Sequence, residues 1–190
     1  MRLLLHSFFL FLIPCFLFTG FAPAHSLHAD SVEPKAKLLT TFPFHQFVDG
    51  VVMIEAKLDN FPDTLHFILD TGSGGISIDS TTCDSLKLTV TPSDKIIRGI
   101  GGSSKLFYAL NHTLKLPGLT VDSMDFHISN YDLISALYGL HIDGIVGYSF
   151  LKQFIVKIDF DKQLITVYSP GEFTYEKRGE LLKPLLVGIP

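Results

Sequence analysis

The chain has 190 residues, with 15 Lys and Arg against 19 Asp and Glu, a formal charge of −4. It contains no basic run that could neutralise a phosphate backbone, which speaks against a nucleic-acid partner. Its two cysteines build no disulfide framework and its eight histidines show no metal-ligand spacing, so neither a metal nor another cofactor is expected.

The first residues differ from the rest. Arg2 is followed by an apolar run from Leu3 to Phe21 and then by Ala22-Pro23-Ala24. A positive start, a greasy middle and a small-x-small end are the order of a secretory signal peptide, assigned to residues 1–24. A retained anchor is the alternative, in a run nearly long enough to span a bilayer but weakened by His6, Ser7 and Pro14. Removal of residues 1–24 takes away Arg2 alone among the charges. About 166 residues remain, with 14 basic and 19 acidic side chains and a net charge of −5, enough chain for a real core. The expected destination is periplasmic or extracellular. Cys15 departs with this segment, and Cys83 is expected half-buried on a helix.

Residues 25–37 are polar and read as a flexible leader, and the domain proper as 38–170. Strands are predicted over 51–58 and 65–69, separated by a turn at 59–63. The second runs into Asp70-Thr71-Gly72-Ser73-Gly74-Gly75, a tight glycine-rich turn, and residues 76–78 resume as strand. Asp79 or Ser80 caps a short helix to about Leu86. Two apolar arms flank Gly99-Ile100-Gly101-Gly102, which predicts a hairpin over 96–108. Short strands follow at 114–116 and 119–128 around Pro117-Gly118, then a short helix over 131–140. A strand at 143–147 enters another glycine turn, 149–153 makes a helical turn, and 154–160 and 164–168 form a terminal hairpin. Many short strands with regular turns, and no long amphipathic helix between them, predict an all-β barrel or sandwich. Residues 171–190 form a C-terminal extension.

Asp70 is the candidate for chemistry. A buried strand delivers its carboxylate to the edge of the core, and Gly72 and Gly74 allow backbone amides to turn toward it. Thr71 and Ser73 add hydroxyls beside it. The same residues also make an ordinary turn, since Asp and Gly favour turns. Seventy-odd residues on stands Ile145-Val146-Gly147, two apolar residues and a glycine, with the glycine-tipped hairpin between.

In this order of elements, from about Phe47 to Tyr168, the chain resembles the aspartic proteases of the retropepsin and pepsin clan. The stretches Phe67-Ile68-Leu69-Asp70-Thr71-Gly72-Ser73 and Asp143-Gly144-Ile145-Val146-Gly147-Tyr148-Ser149-Phe150-Leu151 are its most specific parts, the latter similar to bacterial members. The resemblance implies a closed, barrel-like acid-protease lobe with a flap hairpin and short helices. It implies that Asp70 is the catalytic carboxylate, that Thr71 bonds across to a partner loop, and that the Gly72 amide and Ser73 hydroxyl hold the carboxylate. Gly99, Ile100, Gly101, Gly102 and Phe107 would meet a peptide substrate, and Ile145, Val146 and Gly147 would pack on the catalytic turn. Such enzymes pair two Asp-containing turns, and this chain has one. The second is expected from a homodimer or from a second lobe, of which 181–190 is read as the possible start. The alternative reading is a non-catalytic module of the same fold that binds extended peptides or mediates assembly.

Other patterns are weaker. His66 reads as a strand-face residue. Asp159 and Asp161 fail as a calcium loop because Leu164 stands where glycine is needed, and turn chemistry explains them. Asn111-His112-Thr113 is a glycosylation acceptor only in a eukaryotic source. Phe107 and Tyr108 suit either a peptide subsite or ordinary packing.

Overall fold

The computed structural model describes residues 33–47, 49–99, 102–175, 179–180 and 182. Residues 1–24, most of the leader, Ile100, Gly101 and most of the C-terminal extension lie outside the described residues. In chain order the elements are β1 Leu38–Pro43, β2 His45–Gln46, β3 Val52–Leu58, β4 Leu65–Leu69, β5 Ile76–Asp79, α1 Ser80–Ser85, β6 Val90–Gly99 and β7 Gly102–Leu116. They continue with β8 Leu119–Ser129, α2 Asp132–Tyr138, β9 Gly144–Val146, α3 Tyr148–Leu151, β10 Ile155–Asp159 and β11 Leu164–Tyr168.

The larger sheet runs β2-β3-β4-β9-β5-β8-β7-β6, and an additional pairing of β3 with β7 closes six of these strands into a barrel. This is the predicted all-β barrel. A smaller sheet, β1-β11-β10, lies apart in hydrogen bonding. Alternation decides which side chains enter the barrel. On β4, Leu65, Phe67 and Leu69 are buried while His66 and Ile68 are half-buried. On β3, Ile54, Ala56 and Leu58 face in and Glu55 and Lys57 face water. Phe67 and Phe126 meet in the middle with ring centroids 6.3 Å apart. A second apolar cluster sits on the other side of the wall, where Met53, Tyr131 and Ile142 pack with Phe47, Ile68 and Ile145.

The local readings differ from the structure in several places. The hairpin is longer than predicted, because β6 begins at Val90 and β7 continues to Leu116. Pro92 concealed the start of β6. It is tolerated there because β6 is the end strand of the sheet, and the register shifts between Pro92 and Ile96. β1 was not predicted; its partner β11 lies far along the chain, with Thr41 and Thr166 bonded 125 residues apart. Pro34–Lys37, at the end of the expected leader, are hydrogen-bonded to Ser169–Glu172. The predicted helix at 131–140 is shorter, ending where Gly139 adopts a left-handed conformation with φ 64°. Cys83 is not half-buried but fully enclosed, 1% exposed, because α1 turns Thr82 and Cys83 onto the barrel. Burial, then the charges of Asp84 and Asp79, push its thiol pKa up. No helix among the described residues is long and apolar enough to cross a membrane.

Candidate active site

Asp70 sits where β4 leaves the barrel. Its neighbour β9 runs parallel to β4, with Leu69 opposite Val146. The Asp70 amide donates to the Val146 carbonyl at 3.0 Å, so β9 carries the pairing one residue past the strand's end. Beyond that point the chain must turn. The Gly72 amide donates to Asp70 Oδ1 at 2.8 Å, and the Ser73 amide to the Asp70 carbonyl at 3.3 Å. The carboxylate is half-buried, and Thr71 and Gly72 beside it are exposed. The Gly72 amide thus acts as expected. The Ser73 hydroxyl, among the described residues, makes no hydrogen bond to the carboxylate.

The second glycine turn lies against the first. The Tyr148 amide donates to the Ser73 carbonyl at 2.9 Å. A β-carbon on Gly147 would stand 2.5 Å from the Gly75 carbonyl oxygen and 2.6 Å from that of Ser73, closer than any side chain tolerates. Val146 is buried and Ile145 half-buried. The structure therefore brings together Asp70, Thr71, Gly72, Ser73, Ile145, Val146 and Gly147. The hairpin is closed at its tip by the pairing of Gly99 with Gly102; Ile100 and Gly101 lie outside the described residues. Phe107 is 39% exposed, on the same strand face as buried Ala109 two residues on.

Sequence reasoning missed a polar network at the far end of the β4–β9 pair. Asp143 Oδ2 accepts the His66 amide at 2.7 Å and Oδ1 accepts the Thr82 hydroxyl at 2.7 Å. Asp79 caps α1 through the Thr81 and Thr82 amides and accepts the Tyr131 amide at 2.9 Å. Ser77 Oγ and the Tyr131 hydroxyl lie 2.6 Å apart, and the Ile145 amide donates to Ser77 Oγ at 3.2 Å. Burial is the main cause raising the Tyr131 pKa, and the charges of Asp79 and Asp70 add to it. Asp79 as a cap was legible; the partners of Asp143, 77 residues apart at His66, left no local signal.

The remaining readings fall outside this cluster. His66 lies on the β4 face with Nδ1 3.7 Å from Asp143 Oδ2. Asp159 accepts the Lys162 amide at 3.0 Å, as turn chemistry requires, and this bond is the main cause holding its carboxyl below the usual range. Among the described residues no group of three His, Cys, Asp or Glu is placed to hold a metal ion. A groove of about 460 Å³ lies between β10, β11 and residues 173–175 and 179–180, lined by Ile155, Tyr168, Phe173 and Tyr175, and contains none of the predicted site residues.

Many solved structures are similar to this chain, among them three proteases or protease-like domains. A retropepsin-like aspartic protease from Rickettsia conorii is 16% identical, with 73% of this chain and 98% of that one covered and a TM-score of 0.46. The EIAV protease, solved with an inhibitor, is 16% identical, with 57% and 91% covered and a TM-score of 0.43. The retroviral protease-like domain of Ddi1 from Leishmania major is 14% identical, with 64% and 94% covered and a TM-score of 0.42. No curated protein sequence matches the chain. The family model of aspartyl proteases matches residues 54–150, which make up half of the chain and hold β4, the Asp70 turn and Gly147. This chain is therefore a member of the aspartyl protease family.

Proposed function

We propose that this chain is an aspartic endopeptidase in which Asp70 supplies one carboxylate of a dyad, the other coming from a second copy or a second lobe. One observation carries the reading. The Asp70 carboxylate is fixed from its own side by the Gly72 amide, while Thr71 and Gly72 leave the other side of the turn exposed. Two such turns face to face would bring two carboxylates close enough to share one proton, because like charges at that range do not both ionise cheaply. The ionised member takes a proton from water as it attacks the peptide carbonyl. The protonated member donates a hydrogen bond to the carbonyl oxygen. The pair titrates as a unit. The β6–β7 hairpin closes over an extended peptide and excludes water, with Phe107 against a substrate side chain. No cofactor enters the scheme. Residues 1–24 direct export to the periplasm or outside the cell.

The test is cleavage of an unfolded protein by the chain from His25, wild type beside Asp70→Asn, between about pH 3 and pH 7, with molecular mass measured in parallel. Cleavage that is lost in the variant and follows the dimer fraction supports the homodimer. If both proteins are inert at every concentration, this chain alone is not the enzyme. A stable monomer that binds extended peptides without cutting them is then a binding module.

A further inference from the structure

The small sheet has one face on the core and one face turned away from it. Phe42 of β1, Ile165 and Val167 of β11 and Val156 and Ile158 of β10 pack into the core. On the other face Leu38, Tyr168 and Ile155 stand opposite one another across the three strands. Leu38, at one end of this apolar row, is 61% exposed. After β11 the chain returns to the same face. Phe173 meets Tyr168 edge to face with ring centroids 5.0 Å apart, and Tyr175 meets Phe173 in the same way at 5.2 Å. The groove of about 460 Å³ runs between these aromatic rings and β10.

Two features define what fits there. The groove touches Ile155, Val156 and Lys157, three residues in succession. Successive side chains of a strand point to opposite faces, so a groove that meets all three follows the edge of β10. Among the described residues β10 pairs with β11 alone, and an open edge of this kind accepts a further strand. Of the described lining residues only Lys157 and Glu180 are charged, so the occupant should be extended and apolar. The chain itself supplies such a segment. It comes to the groove at Gly179 and Glu180, and the sequence continues through Pro184 into Leu185-Leu186-Val187-Gly188-Ile189, which holds neither a charge nor a proline. β10 has five residues, as this run does. Leu185 follows Glu180 by five positions, a reach of up to about 17 Å in extended chain, which brings it to β10.

We propose that residues 185–189 occupy this groove as a fourth strand on the edge of β10, with their apolar side chains against Ile155, Tyr168 and Phe173. On this assignment the segment read from the sequence as the start of a second lobe completes the first one. It also covers an edge that would otherwise be open to strands of other chains. The inference is independent of the peptidase reading, because no residue of the Asp70 turn lines the groove.

The experiment has two arms. The chain contains no Trp, so a single introduced indole reports on its own surroundings. In the chain from His25, Leu186→Trp is expected to emit at shorter wavelength than an indole in water. Adding Ile155→Arg at the groove floor is expected to return the emission to the solvent value while the far-UV circular dichroism stays unchanged. A solvent-like spectrum in the single variant overturns the proposal, and so does a shielded one that Ile155→Arg leaves unmoved. Emission that holds on dilution, at monomer mass, shows that the strand comes from the same chain. Emission that reverts as a dimer dissociates shows that a second copy supplies the strand, which also overturns it. The second arm uses the unsubstituted chain. The β10 amides that do not bond to β11 are expected to exchange their hydrogens about tenfold or more slowly than unprotected amides. Unprotected exchange at those positions leaves the edge open and ends the proposal.

Discussion

The amide of Asp70 donates to the carbonyl of Val146 at 3.0 Å. The residue proposed to catalyse is thus seated by β9 as well as by its own strand, and the seat and the chemistry can be disturbed separately.

Asp70→Asn disturbs the chemistry alone. The amide oxygen of Asn still accepts from the Gly72 amide, so the turn keeps its hydrogen bond. Peptidase kcat is expected to fall by about 10²- to 10⁴-fold, the worth of a placed acid or base. The urea midpoint is expected to stay near that of wild type. Retained turnover would show that another group does the work.

Gly147→Ala disturbs the seat. The added methyl would meet the Gly75 and Ser73 carbonyl oxygens at 2.5 and 2.6 Å, and both belong to backbone that cannot swing away. A cost of about 1–3 kcal/mol is expected, as for overpacking elsewhere. Activity should fall with it even under conditions where the protein remains folded. An alanine variant as stable and as active as wild type would mean the two glycine turns do not depend on their close contact.

Asp143→Ala attacks the far end of the same strand pair. It orphans the His66 amide, now held at 2.7 Å, and leaves the Thr82 hydroxyl with His141 Nε2 at 2.9 Å as its remaining side-chain partner. A buried donor left without a partner costs about 1–3 kcal/mol, so the variant should be among the less stable single substitutions of this domain. Chemical denaturation with an unchanged m-value reads this directly. A loss under about 0.5 kcal/mol would indicate that water replaces the carboxylate.

Tyr131 gives an alkaline signature. Its pKa lies above 10.0 in the folded chain, mainly because its hydroxyl is buried. The folded state therefore holds the phenolic proton more tightly than the unfolded state. Stability from this group is complete below pH 10 and declines as pH climbs past it. Tyr131→Phe should flatten that decline while costing about 1 kcal/mol at neutral pH for the bond to Ser77. Thermal melts of both proteins between about pH 8 and pH 11 decide it.

What could be read from the residues was what glycines and hydroxyls write locally. The Asp70 turn, the Gly99–Gly102 tip and the Gly147 turn each announce themselves within a few positions, and the barrel is implied by the strand pattern between them. Asp79 was legible as a cap because a cap acts on the next turn of chain. Asp143 was not, because its partners are a strand and a helix made much earlier. β1 shows little alternation and exists through pairing with β11. Pro92 misled by being a sheet-breaker that sits harmlessly on an edge.

β7 is one strand from Gly102 to Leu116, and it serves two structures. Its first half is an arm of the hairpin, and its last residues, Leu114 and Lys115, pair with Leu58 and Lys57 to close the barrel. The hairpin is therefore a handle fixed to the seam of the barrel. Between them the β7–β8 register slips from Ala109 to Leu114, around Asn111 with its φ of 59°, so arm and seam are joined through a bulged stretch and not through one regular ladder.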